Sequence, residues 1–331
     1  MSGGHGRSRI DDAEFRRLVD EAKERHNISD VVRRRTKVVR ADRELVALCL
    51  FHKERTPSMR LNDAKGIYHC FGCGASGDIV KLVRETEGLG FMEAMRWLGA
   101  AGLPAVDPAA RLQAAEEDAR DRQRAIGRAR DVWASAVPAA GTPAEVYAHS
   151  RGIVMSLPSS IRFAQTPAWY DDDEGTCGPD LPALVGAVTD RTGIIGLQRI
   201  FLSKGGRAKA AMQKPKRSLG RIKGGALKLG SGQGPAPAEV IVTEGPEDGL
   251  SLAQEMPDRE VWVTLGTAMM PFVEYPLATR SVCIAGQNDP AGRAAVAKAV
   301  PGITQRGFAV RTIWPSEGFK DWNDQLRGIR A

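Results

Sequence analysis

Residues 46–99 read VALCLFHKERTPSMRLNDAKGIYHCFGCGASGDIVKLVRETEGLGFMEAMRWLG, and four side chains within them decide the architecture of this part of the chain. Cys49 and His52 form a C-x2-H pair, and after seventeen intervening residues Cys70 and Cys73 form a C-x2-C pair. An x2 spacing closes a tight chelate turn and puts two ligands on one side of a tetrahedral ion. The insert between the pairs is long enough for a hairpin to bring the second pair round to the first. Three thiolates and one imidazole make a closed zinc set with no position left for water or substrate, so structural Zn²⁺ is expected here. Cysteines merely packed in a core have no reason to fall into two x2 pairs.

The flanking residues extend the pattern. The segment resembles the CHC2-type zinc-binding domain of bacterial and phage DNA primases, in which CPFHxExTPSF, a short strand pair and YHCFGCGxxGD recur in that order. Leu50 stands here for the usual Pro and Met59 for the usual Phe, and neither touches the metal chemistry. The resemblance takes in the upstream run EAKERHNISDVVRRRTKVV and covers about residues 15–100.

The chain has 331 residues, 42% hydrophobic and 26% charged, which is the composition of a soluble globular protein with room for two or three domains. No apolar run approaches the roughly 18 residues of a membrane span. The N-terminus, MSGGHGRSRIDDAEF, lacks an apolar signal core. Cys177 and Cys283 stand outside the metal pattern, Cys283 inside the strand-like RSVCIA. A reduced, cytoplasmic protein with no membrane partner is the expectation. The net charge of +7 is unevenly distributed: from Arg191 to Ala238 there are eleven Lys or Arg and no Asp or Glu, and from Glu239 onward twelve acids against nine bases. An acid-free stretch of this kind suits a polyanion-binding surface.

Helical periodicity runs over residues 14–35, with Phe15, Leu18, Val19, Ala22, Ile28, Val31 and Val32 on one face. Asp78 caps a helical region over 78–98 that closes on Gly99. After a Pro-containing break at 103–108, residues 109–135 read as one long surface helix, a tether between modules. From 144 to 235 short strands and turns alternate, and from 239 to 315 strand and helix alternate, which implies a parallel sheet with right-handed crossovers. The expected protein is therefore multidomain, α+β and α/β. It comprises a zinc ribbon with helices at 14–102, a helical linker at 103–143, a mixed α+β basic subdomain at 144–236 and a parallel-sheet core at 237–331. The order YAHSRGI, IRFA, PALVGAVTDRTGIIGLQRIFL, KRSLG and GGALKLG resembles the basic subdomain that precedes the catalytic core in phage-type primases. Arg199, Lys209, Lys214, Lys216 and Arg217 are its expected nucleic-acid or nucleotide contacts.

VIVTEGPEDGLSL, TLGTAM and VCIAGQNDPAGRAA resemble the Toprim domain, the metal-dependent core of bacterial-type primases, topoisomerases and some nucleases, over about residues 238–328. The resemblance implies that Glu244 acts in phosphoryl transfer and that an Asp-x-Asp pair holds Mg²⁺ or Mn²⁺. Asp289 matches the second Asp of that pair, whereas Gln287 occupies the place of the first. Asp248, Asp321 and Asp324 complete the candidate acids, each equally explicable as a helix cap.

Together the two resemblances imply a DNA primase. Such a protein binds single-stranded template and joins ribonucleoside triphosphates into short RNA primers. No G-x-x-x-x-G-K-[ST] motif occurs, so a separate replicative helicase is the expected partner, in a phage, prophage or mobile-element setting. Gln287 supports an alternative, a zinc- and DNA-binding replication factor whose Toprim site has lost its chemistry. A Toprim nuclease or topoisomerase is a third reading. Strand passage needs a nucleophilic tyrosine, for which Tyr68, Tyr147, Tyr170 and Tyr275 are the candidates.

Overall fold

The computed structural model describes residues 12–41, 44–100, 108–171, 174–230 and 236–330. The N-terminal stretch 1–11 and most of the break expected at 103–108 lie outside the described residues. The chain divides into two compact units, Met1–Arg120 and Asp121–Ala331.

In the first unit the periodicity over 14–35 resolves into two helices, α1 (Asp12–Arg25) and α2 (Ile28–Arg33), rather than one. Asn27 interrupts them with extended backbone at φ −77° and ψ 135°, in keeping with a residue type that favours helix starts over interiors. The Asp63 carboxylate then accepts hydrogen bonds from Ser29 N and Ser29 Oγ, at 2.8 and 2.6 Å, and ties α2 to the sheet. That sheet is an antiparallel meander of β1 (Val38–Ala41), β2 (Glu44–Ala47), β3 (Met59–Asn62), β4 (Ile67–Cys70) and β5 (Ser76–Asp78). Asp78 caps α3 (Ile79–Glu87) by accepting from Lys81 N at 2.8 Å, and Gly88 stops it in the left-handed conformation. Helices α2, α3 and α4 (Phe91–Ala100) bury Ile28, Val32, Leu82, Val83 and Leu98 against Met59, Leu61 and Tyr68 of the sheet. The long helix expected over 109–135 is present as α5 (Pro108–Ser135), which crosses the division at Arg120.

The second unit is organised on a single ten-stranded sheet. After β6 (Val137–Pro138) and α6 (Pro143–Ser150), the antiparallel strands β7 (Ile161–Pro167), β10 (Asp180–Asp190), β11 (Gly193–Phe201), β12 (Lys216–Gly220) and β13 (Ala226–Lys228) form one half, with β8 (Tyr170–Asp171) and β9 (Thr176–Cys177) as a side ribbon. The other half is parallel: β14 (Glu239–Thr243), β15 (Val261–Val263), β16 (Ser281–Ala285) and β17 (Ala309–Ile313), in the order β15-β14-β16-β17. Antiparallel pairing of Leu227 with Val263 and of Lys228 with Trp262 joins the halves. The sheet thus runs across the boundary expected at 236/237, and one hydrophobic cluster extends from Ala139 to Trp322.

Strands β14 and β16 are buried on both faces and accordingly read as continuous apolar runs. Helix α7 (Pro246–Glu255) leads from β14 to β15 on one side, while β16 lies on the other, followed by α8 (Pro290–Thr304), β17 and α9 (Trp322–Arg327). The crevice outside the carboxyl ends of β14 and β16 is therefore a topological switch point, where α/β sheets place their ligands.

Candidate metal centres and catalytic cleft

The meander brings the two cysteine-histidine pairs together. One ligand atom from each of Cys49, His52, Cys70 and Cys73 lies within 4.8 Å of the others. Cys49 Sγ is 3.8 Å from Cys73 Sγ, and Cys70 Sγ is 3.7 Å from His52 Nδ1. A tetrahedron with zinc–sulfur arms of about 2.3 Å has edges of about 3.8 Å, which these two separations match, so the donor set suits Zn²⁺. His52 Nε2 lies 3.2 Å from Glu54 Oε2, which directs Nδ1 toward the sulfurs. The same carboxylate accepts from Cys49 N at 2.7 Å and from Ser58 N and Ser58 Oγ at 3.1 and 2.5 Å, and the Ser58 hydroxyl bond holds the Glu54 carboxyl below its usual range. Glu54 thus orients a ligand from behind, as outer carboxylates do at zinc sites. Its signal in the sequence is its place two residues after His52. Gly72 is required by the same packing, since a Cβ there would sit 2.6 Å from His52 Nε2. Beside the centre Phe71 is 68% exposed, with the Arg60 guanidinium 5.2 Å from its ring centre and His69 edge-on at 4.6 Å.

At the switch point Glu244 follows β14 directly, is exposed, and accepts a hydrogen bond from the Thr267 hydroxyl at 2.8 Å. Asp289 caps α8 by accepting from Gly292 N at 2.7 Å, and Lys320 lies 3.7 Å from its other oxygen. Asp321 caps α9 through Asp324 N at 2.8 Å. Asp248 is buried in the first turn of α7, where it accepts from Gln287 Nε2 at 2.8 Å and from Asn323 N at 3.2 Å. Burial pushes its carboxyl up to about 6 in spite of the Gln287 bond, and the Asp321 charge adds to the rise. A cavity of about 140 Å³ collects Asp248, Gln287, Asp321 and Asp324 with Arg151, Lys209, Lys216, Glu247 and Asn323.

Glu247 is the residue that sequence reasoning missed. It is 9% exposed, and its carboxylate receives Lys216 Nζ at 2.7 Å, Lys209 Nζ at 2.9 Å and the Tyr147 hydroxyl at 2.9 Å. Burial alone would raise its pKa, but the two ammonium groups outweigh it and hold the carboxyl at about 2. Its partners lie on distant elements, so nothing in the local sequence announces the cluster.

The acid-free basic stretch is consequently less free than its composition implies. Lys209 and Lys216 sit in the cleft on Glu247, Arg221 pairs with Asp190, and Arg191 pairs with Glu274. Arg199, expected to contact nucleic acid, is 3% exposed, and its guanidinium donates to Pro167 O at 2.6 Å between the Tyr170 and Phe201 rings. It is a core residue and not a surface contact. Arg217 donates to the Lys214 and Ala168 carbonyls, while the Lys214 side chain is exposed. Tyr68, Tyr147 and Tyr275 are buried, and Tyr170 lies beneath the Arg128 and Arg199 guanidiniums, so no tyrosine presents a nucleophile for strand passage.

Comparison with known proteins agrees with these two centres. Residues 15–106 match the CHC2 zinc finger family and residues 239–329 the Toprim domain, while residues 123–229 match a domain of unknown function, DUF7146. Over 83 residues the chain is 42% identical to the DNA primase of Thermotoga maritima, which is 25% of this chain and 15% of that protein. Over 81 residues it is 40% identical to the DNA primase of Lactococcus lactis, 24% of this chain and 13% of that one. The chain thus carries segments similar to a CHC2 zinc finger and a Toprim domain, and over about a quarter of its length it is similar to DNA primases. Its matched segment spans only about one seventh of the length of these primases. Among solved structures, the Aquifex aeolicus primase zinc-binding and RNA polymerase domains align at 21% identity and a TM-score of 0.43, over 94% of this chain and 82% of that one. The DnaG catalytic core aligns at 16% identity and a TM-score of 0.45, over 62% and 75%.

Proposed function

We propose that this chain is a primase-like nucleotidyltransferase that binds single-stranded DNA and joins ribonucleoside triphosphates into short RNA primers. The observation that carries the reading is the placement of Glu244 and Asp289 at the carboxyl ends of neighbouring parallel strands, beside a cleft lined by cations and carboxylates, in a chain that also has a closed zinc ribbon. Mg²⁺ or Mn²⁺ bound by these carboxylates would neutralise phosphate charge and activate the attacking hydroxyl. Thr267 fixes the Glu244 carboxylate, and the α8 cap fixes Asp289, so both groups are oriented before substrate arrives. Arg151, Lys209 and Lys216 are the cations of the cleft that could meet a triphosphate, beside the carboxylates of Glu247, Asp248, Asp321 and Asp324. On the zinc unit, Phe71 with Arg60 and His69 offers a stacking face for unpaired bases. A replicative helicase is proposed as a separate partner, in a phage or prophage setting and in the cytoplasm. Among the described residues no helix is long and apolar enough to cross a membrane.

The second reading, a DNA-binding factor without synthesis, is favoured by one observation: the Gln287 amide donates to Asp248 where the Toprim pattern has a carboxylate. Primer synthesis on single-stranded DNA with labelled ribonucleotides and Mg²⁺ or Mn²⁺ separates the two, with Glu244→Gln as control. Product that disappears in the control supports the enzyme. No product with DNA binding intact supports the factor.

A further inference from the structure

The Toprim pattern implies an Asp-x-Asp pair, and the residues at Asp248 do not fit a second divalent ion. Asp248 is 5% exposed, and both of its oxygens already face protein donors, Gln287 Nε2 on Oδ2 and Asn323 N on Oδ1. At 2.8 Å from a carboxylate oxygen the Gln287 amide must present its NH₂ end, since its oxygen would be repelled there. Where a cation requires lone pairs, this position offers hydrogens. Neighbouring carboxylates are equally engaged: Asp321 closes the α9 cap, and Glu247 holds Lys209 and Lys216. The same small cavity is lined by these two ammonium groups and by Arg151 beside Glu247, Asp248, Asp321 and Asp324, so a second divalent ion there would have to displace cations that already balance the carboxylates.

Glu244 and Asp289 differ. Each uses one oxygen for a fixed hydrogen bond, to Thr267 and to Gly292 N, and the second Asp289 oxygen faces the exposed Lys320 at 3.7 Å, a side chain that can swing into solvent and leave the oxygen to a cation. We infer that this core takes a single divalent cation, on Glu244 and Asp289. At Asp248, protein donors and the lysines held by Glu247 supply the positive charge that a second ion would bring. The inference rests on the proposed function only in taking Glu244 and Asp289 as cation ligands.

Counting Mn²⁺ on the full, zinc-loaded chain by electron paramagnetic resonance titration tests this without requiring activity. One Mn²⁺ per chain at saturation is expected, none in Glu244→Gln and two in Gln287→Asp, which restores the missing carboxylate. Asp248→Asn, which removes the charge without changing the shape, should leave the count at one. Two ions or none in the unsubstituted chain would overturn the inference, as would a count in Gln287→Asp that stays at one or a count lowered by Asp248→Asn. If Gln287→Asp does not fold, the unsubstituted chain and Asp248→Asn decide the matter between them. Absent primer synthesis with one Mn²⁺ bound would sink the polymerase reading alone, and synthesis with two bound would sink the single-cation inference alone.

Discussion

Replacing Glu247 with Gln removes one charge from a buried cluster and leaves Lys209 and Lys216 facing a neutral amide. The carboxyl titrates at about 2 instead of its ordinary 4.5, and at about 1.4 kcal/mol per pH unit this amounts to about 3 kcal/mol of stabilisation. Burial works against the other side of the pair by lowering the Lys209 pKa, so a net loss of about 1–3 kcal/mol is expected. Because the folded-state pKa is depressed, the contribution is complete above pH 4.5 and disappears as the pH falls toward 2. The difference between the unsubstituted chain and Glu247→Gln should therefore be full at pH 7 and shrink below pH 4.5. Urea unfolding followed by tryptophan fluorescence reads this directly, since Trp133, Trp169, Trp262, Trp314 and Trp322 all lie in the unit from Asp121 onward. Lys216→Met, introduced in both backgrounds, completes a double-mutant cycle with an expected coupling of about 1 kcal/mol or more. If Lys216→Met costs the same with and without the carboxylate, the cluster does not hold the cleft together and the reasoning is wrong.

Cys70→Ser should release zinc and unfold the N-terminal unit, because structural zinc contributes about 10–16 kcal/mol in zinc-finger peptides; an N-terminal unit that keeps its circular dichroism in chelator would refute the structural role. Glu54→Gln should weaken zinc binding by about 10- to 100-fold in a competition titration, through loss of the His52 orientation. Affinity for single-stranded DNA should fall with salt at a slope near −0.7 per phosphate neutralised, and Phe71→Ala should weaken binding by about 1–3 kcal/mol without changing that slope. Gly286→Ala would place a Cβ 2.3 Å from the Trp314 ring, so a loss of about 1–3 kcal/mol and a shifted tryptophan emission are expected.

What could be read from the sequence was whatever chain-local chemistry dictates. Two x2 pairs force a chelate, and the four ligand atoms do converge. Asp78, expected to cap the helix after the last zinc ligand, does so by accepting from Lys81 N. Local pattern failed where the determining partner is remote. Periodicity ran on through Asn27 because apolar spacing does not register an extended residue between two helices. Composition made Arg199 a surface cation, but the Pro167 carbonyl and the Tyr170 ring, brought by other strands, and the Phe201 ring of its own strand enclose its guanidinium. Glu247 and its lysines are separated by at least 31 residues, and only the folded sheet pairs them. The boundary expected at 236/237 lies between the two family matches, at 123–229 and 239–329, and β13 hydrogen-bonds across it to β15.

Asp289 and Glu244 differ in what else they do for the protein. Asp289 closes the first turn of α8, so folding stability alone is enough to keep an acid at that position after any loss of chemistry. The exposed Glu244 carboxylate caps no helix and is joined to the fold through the Thr267 hydroxyl. When further chains of this architecture are sorted into working polymerases and retired ones, the residue after β14 is thus the informative one, and an acid at the α8 cap says little by itself.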